Sequence, residues 1–148
     1  DGSTKRILCF DKNFAFLGSF GSTKESKINS ISYISTDNEF IYILEEDGVI
    51  KKFGSMGNFL SAVPTDSKFA VSLLVDSRKN FWVTDLEQGK VYCLSADGEN
   101  LFSIDRKTLS GLFIESGKFA PSSIAISSSA NIAVADTYSK QIKIFQIN

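Results

Sequence analysis

Apolar residues in this chain come in short runs of about four, separated by clusters of Ser, Asn, Asp, Gly and Lys. The clearest stretch is 119–145, FAPSSIAISSSANIAVADTYSKQIKIF. It holds runs at 123–126, 132–135 and 142–145, each rich in Ile, Val or Phe and each ended by polar turn residues. Runs this short and this β-branched predict strands of an antiparallel meander, since none reaches the length of an ordinary helix.

The pattern repeats upstream. A shift of 51 positions superposes Val75 on Ile126, Asn80 on Asn131, Val83 on Val134, Asp85 on Asp136, Val91 on Ile142 and Leu94 on Phe145. A further step pairs Ile43 with Val83, Glu45 with Asp85, Gly48 with Gly89 and Ile50 with Val91, and Ile7 and Phe10 pair with Ile142 and Phe145. The acidic positions Asp1, Glu45, Asp85 and Asp136 therefore recur at spacings of 44, 40 and 51 residues. A unit of about 40–50 residues with four short strands predicts the blade of a β-propeller. Thirteen strands are expected, over 6–10, 15–20, 30–34, 40–44, 49–53, 59–62, 71–75, 81–85, 91–94, 101–104, 123–126, 132–135 and 142–145. They divide the single domain 1–148 into a partial blade (1–21), two full blades (28–63 and 69–104), a long loop (105–120) and a second partial blade (121–148).

Gly117-Lys-Phe-Ala-Pro-Ser-Ser-Ile-Ala-Ile, then Asn131-Ile-Ala-Val-Ala-Asp-Thr, then Gln141-Ile-Lys-Ile-Phe resembles the NHL repeat. That family's pattern runs G-x-F-x-x-P-x-x-I-A-V, a turn, I-Y-V-A-D-T, a polar turn and R-I-Q-V-F. The unit 71–104 fits it well and 30–62 more loosely. The resemblance implies an all-β fold of four-stranded antiparallel blades, here about half of a six-bladed ring. It implies no single activity, because NHL repeats serve in protein-binding, RNA-binding, sensor and enzyme propellers.

Composition narrows these classes. A 43% hydrophobic content with net charge −1 is that of a globular chain, not a disordered one. No apolar run approaches the ~18 residues of a membrane-spanning helix, so no membrane contact is expected. The start at Asp1, inside a repeat and without Met, is expected of a processed or excised chain. There is no histidine, which removes Ser-His-Asp and Cys-His nucleophiles and the common zinc sites. Cys9 and Cys93 fall on equivalent positions two repeats apart, too far for a bridge, and are expected as free, small hydrophobes. With 16 basic against 17 acidic residues, the chain as a whole has no attraction for phosphate, and nucleic acid is not an expected partner.

The recurrent carboxylates Asp1, Glu45, Asp85 and Asp136 are read as caps on the turn after each second strand, not as a metal ring. Asp76 follows a first strand; its counterparts in the repeat are read as Ser127 and Ser35, so it stands out as unrepeated. Trp82 and Tyr42 share a second-strand position expected to pack between blades, and the 13 Phe residues are expected mostly in the core. The long loop departs from the repeat by about ten residues and carries apolar side chains among charges, DRKTLSGLFIESGKFAP. Long loops of this kind are often functional. Arg106, Lys107, Leu109, Leu112 and Phe113 are its candidate binding residues; an alternative is that 112–114 extend or cover the outer strand.

No catalytic residue, metal or cofactor is expected. The expected function is a non-catalytic binding, interaction or sensor module that contacts a protein or small ligand through blade-top loops. The alternatives are a fragment of a lactonase- or lyase-type propeller with a central-channel metal, and an RNA-binding NHL domain. The open faces of the first and last blades predict self-association or docking against the missing blades of a larger propeller.

Overall fold

Short continuous apolar runs bury both faces of the inner strands, Phe81–Asp85 along its whole length, and lateral backbone pairing gathers the strands into separate small sheets. A computed structural model describes residues 3–109, 118–127 and 131–146, and among them are thirteen strands and one four-residue helix. β1 (Ile7–Phe10) and β2 (Phe16–Phe20) form a two-stranded sheet. β3 (Tyr33–Thr36), β4 (Phe40–Leu44), β5 (Val49–Gly54) and β6 (Phe59–Pro64) form a four-stranded meander. β7 (Ala70–Val75), β8 (Phe81–Asp85), β9 (Lys90–Leu94) and β10 (Asn100–Asp105) form another, followed by α1 (Arg106–Leu109). β11 (Pro121–Ile126), β12 (Asn131–Asp136) and β13 (Gln141–Gln146) form a three-stranded sheet. Every pairing is antiparallel.

The sheets stack face to face, and the core lies between them. Ile7 and Phe20 of the first sheet pack on Ile28, Ile43 and Phe53. Tyr42, Leu44 and Ile50 of the second meet Leu73, Phe81 and Val83 of the third. Trp82, Val91 and Cys93 of the third meet Ile124, Ile132 and Val134 of the fourth, with Leu109 of α1 and Phe119 closing the edge. Tyr42 and Trp82 thus each point toward the following sheet, and both are 2% exposed or less. Both cysteines are free thiols, and burial, with the charge of Asp76 adding to it, pushes the Cys93 thiol up to about 11. At that value it is protonated and unreactive at neutral pH.

Two sequence expectations are corrected. The first strand of the second sheet begins at Tyr33, not at residue 30. The Asn29 and Ser30 N–H groups donate to the Glu45 carboxylate, and the Ser30 hydroxyl accepts from Glu46 N, so this segment is held as an entry loop. The phenylalanines are core only in part: Phe53, Phe81 and Phe119 are buried and Phe20, Phe40, Phe59 and Phe145 pack half-buried against the core, but Phe10, Phe14, Phe16, Phe69 and Phe102 are exposed, Phe14 at 87%.

Both end sheets carry exposed apolar side chains on their outer faces. Ile142 and Ile144 of β13 are 65% and 70% exposed, whereas their repeat equivalents Val91 and Cys93 are each 1% exposed beneath the next sheet. At the other end Leu8, Phe10 and Phe16 face outward, with Phe10 and Phe16 in edge-to-face contact at 5.7 Å.

Candidate functional site

The hairpin topology gives the stack two ends. At one lie the β4–β5, β8–β9 and β12–β13 turns together with the connections from sheet to sheet; at the other lie the β3–β4 and β7–β8 turns.

At the connection end each full repeat buries a carboxylate. Asp85 is fully buried and accepts from Ser67 Oγ (2.7 Å), Lys68 N (2.8 Å), Phe69 N (3.1 Å) and Gln88 N (2.7 Å). Burial would raise its pKa, but the Gln88, Lys68 and Phe69 N–H groups and the Ser67 hydroxyl outweigh burial and hold it below the usual range. Asp136 accepts from Ala120 N, Tyr138 N, the Ser139 hydroxyl and Lys143 Nζ, the last two at 2.7 Å. Against burial, Lys143, Ser139 and Ala120 lower it to about 2. Glu45 accepts from Asn29 and Ser30 and forms a 2.8 Å ion pair with Lys51, whose ammonium also donates to the Lys27 carbonyl.

These carboxylates do more than the expected capping of their own turns. Each one binds the backbone that enters the first strand of its own sheet, from a donor 16 residues upstream: Asn29 for Glu45, Phe69 for Asp85, Ala120 for Asp136. Asp85 and Asp136 cap their turns as well; both backbone bonds to Glu45 come from the entry segment. The expected fourth member, Asp1, lies outside the described residues.

At the other end, Asp76 is a turn residue and it is repeated. Its carboxylate accepts from Arg78 N, Asn80 N, Asn80 Nδ2 and Trp82 Nε1. The counterpart in the second sheet is Asp37, not Ser35: it accepts from Glu39 N, Phe40 N and Tyr42 OH. Lys79 reaches across from the next sheet to Asp37 at 2.8 Å, clasping the two turns together. Asp37 accordingly lies far below the usual carboxylate range; its burial is outweighed by Lys79, the two backbone N–H groups and the Tyr42 hydroxyl.

Gly48 and Gly89 hold equivalent turn positions with φ of +83° and +61°. Conformation alone does not require glycine there, since Lys140, at the same place in the last repeat, has φ of 56°. The close approach of the next connection does. A Cβ on Gly48 would meet Ser67 O at 2.4 Å, and one on Gly89 would meet Phe119 O at 2.4 Å. Gly89→Ala is expected to destabilise the fold by about 1–3 kcal/mol, whereas Lys140→Gly stays within about 1 kcal/mol of the parent. Urea unfolding of the two variants compares them directly; equal midpoints would show that the approach carries no strain.

Between the third and fourth sheets, at the connection end, opens a cavity of ≈ 610 Å³. Its walls are the β8–β9 turn (Leu86 to Lys90), Asp105 to Lys107, Lys118 to Ala120 and Tyr138. Buried carboxylates fix both walls, Asp85 through Gln88 N and Asp136 through Ala120 N and Tyr138 N. Of the sequence candidates, Arg106 and Lys107 line this cavity. Leu109 points inward and is buried with Trp82 and Phe119. Leu112 and Phe113 lie outside the described residues. Lys118, on the same long loop, lines it too, as do Lys90 and Tyr138, which carry no sequence signal of their own; only the repeat register, placing them at the connection end, points to those two. Among the described residues no group of three or more Cys, Asp or Glu side chains is arranged to hold a metal ion, and no helix is long and apolar enough to cross a membrane.

The sequence matches no family model and no curated protein. The fold is similar to solved β-propellers. The WD40 propeller domain of Doa1 superposes with a TM-score of 0.69 at 15% identity, covering 100% of this chain and 49% of that one. Virginiamycin B lyase from Staphylococcus aureus gives 0.66 at 12% identity, covering 99% and 50%. BamB from Moraxella catarrhalis gives 0.64 at 15% identity, covering 96% and 38%. The chain spans half or less of the length of these neighbours. They establish a β-propeller fold of four-stranded antiparallel sheets, shared by proteins as different as a lyase and a WD40 domain.

Proposed function

We propose that this chain is a non-catalytic binding module built from NHL-type propeller repeats, making up part of a ring, which takes its ligand or protein partner at the connection end. The observation that carries this reading is the cavity between the third and fourth sheets, with walls fixed by Asp85 and Asp136. Sites fixed by buried side chains on rigid elements hold a ligand without reordering. Arg106 and Lys107 supply contacts there, and Leu109 anchors their short helix in the core. The alternative of a propeller enzyme with a central-channel metal draws no support from Asp76, whose carboxylate is engaged by four donors of its own hairpin.

A small-molecule library screened by ¹H–¹⁵N NMR tests this. Shifts are expected to cluster on residues 86–90, 105–107, 118–120 and 138. Shifts confined to 37–40 and 76–80, or chemical turnover of a bound compound, would overturn the reading.

A further inference from the structure

The net charge of the chain is −1, yet among the described residues the cavity lining includes four basic residues, Lys90, Arg106, Lys107 and Lys118, against two acidic ones, Glu87 and Asp105; the Lys90 ammonium lies 5.8 Å from the Tyr92 ring. The Asp105 carboxylate accepts from Thr108 N at 2.9 Å and Thr108 Oγ1 at 3.0 Å, so it is occupied in holding α1. Gln88 is likewise engaged, with its amide donating to Asp66 O and its carbonyl oxygen accepting from Tyr92 OH. Tyr138 completes the lining. The wall is therefore rich in cationic donors and poor in acceptors. Local excess of one sign inside a concave, fixed surface concentrates the opposite charge. The guanidinium of Arg106 suits the paired oxygens of a phosphate or carboxylate, and the lysines suit additional oxyanion charge.

Resting on the binding-module reading, we infer that the occupant of this cavity is a small, multiply charged oxyanion, of the phosphate or the carboxylate kind. The volume, ≈ 610 Å³, lies in the range of small-molecule sites and well below what a polymer needs along its backbone.

Pyrophosphate and citrate serve as probes of the two sources. Each is titrated into the full chain at low salt, by calorimetry and by ¹H–¹⁵N NMR. Saturable binding of at least one is expected, with shifts at 86–90, 105–107 and 118–120; whichever probe binds more tightly identifies the source. Arg106→Gln and Lys118→Gln are each expected to weaken it roughly tenfold, the value of one charge-assisted hydrogen bond. Lys24→Gln, remote from the cavity, should leave the affinity unchanged. Raising the salt to 0.15 M should weaken binding further. All three side chains are exposed, so circular dichroism should show the parent fold.

Failure of both probes to bind, or equal loss in all three variants, would overturn the inference. A neutral compound saturating the same residues would also overturn it, while leaving the binding-module reading intact. A short RNA that binds this face more tightly than either probe would replace the small ligand with a polymer.

Discussion

Asp85→Ala is expected to lower the unfolding free energy by about 3–5 kcal/mol, among the largest effects available to a single substitution in a chain of this size. The carboxylate is fully buried and terminates four hydrogen bonds, three from backbone N–H groups on two separate segments. Alanine leaves a void and strips these donors at once. Water reaches the exposed Lys68 and Phe69 segment and offsets part of the loss. Asp85→Asn is expected to lose roughly half as much, because its amide keeps one acceptor oxygen but turns an N–H₂ group toward donors. Urea unfolding of both variants tests this; a loss below about 1 kcal/mol for alanine would mean the entry segment is held by other contacts.

The same groups set the acid limit of the fold. Asp85 and Asp136 have folded-state values depressed from the ordinary 3.8, Asp136 to about 2. A depressed carboxylate contributes stability that is complete above its unfolded value and is lost as pH falls through its folded value. Stability is thus expected to fall progressively below about pH 4, through the Asp136 value of about 2 and further as Asp37, held lower still, is protonated. Asp136→Asn should flatten that slope, and an unchanged slope would assign the acid sensitivity to other groups.

The second large effect concerns the end sheets. Ile142 and Ile144 are exposed where their equivalents Val91 and Cys93 are covered by a neighbouring sheet, so this outer face is left with apolar surface that its counterpart in the third sheet buries. An apolar patch of about 400 Å² on each end, at ~25 cal/mol/Å², represents roughly 10 kcal/mol before the costs of association. The isolated chain is therefore expected to pair with a second copy through these faces. Two copies supply about as much chain as one of the longer propellers that each copy half covers. Light scattering after size exclusion should show a dimer across a range of concentrations. Ile144→Lys combined with Phe10→Lys should shift it to monomer. A parent chain that stays monomeric at high concentration would show that the faces tolerate water.

Much of this fold was legible because propeller strands are short, buried on both faces and bounded by strong turn formers. The repeat register placed strands at each of the thirteen observed positions. It slipped at β3, where Ser30 and Ile31 read as strand but the Glu45 carboxylate claims the backbone donors that a ladder would use. That slip hid Asp37 as the partner of Asp76. Burial was less legible. Phe10 and Phe16 read as core by composition, yet their exposure depends on how many sheets stand beside them, which periodicity does not encode. The cavity was half legible. Arg106 and Lys107 were marked by the long connection, on which Lys118 also lies; Lys90 comes beside them by the pairing of β9 with β10, and Tyr138 through stacking of separate sheets.

The carboxylate contacts also bear on how the chain reaches its fold. Within each sheet every strand pairs with its neighbour in sequence, so the pairings are local, and contacts between sheets are the ones that span longer stretches of chain. Here the entry of each sheet is fastened to the end of its second strand across 16 residues in all three cases, whatever the length of the connection before it. Closure entropy depends on the residues enclosed, and the extra residues of the 105–120 segment lie outside the enclosed span. Lengthening a connection therefore leaves this local closure untouched. Each sheet can be locked at its first hairpin before the next has been synthesised, and a chain leaving the ribosome N-terminus first would assemble in that order, one closure at a time.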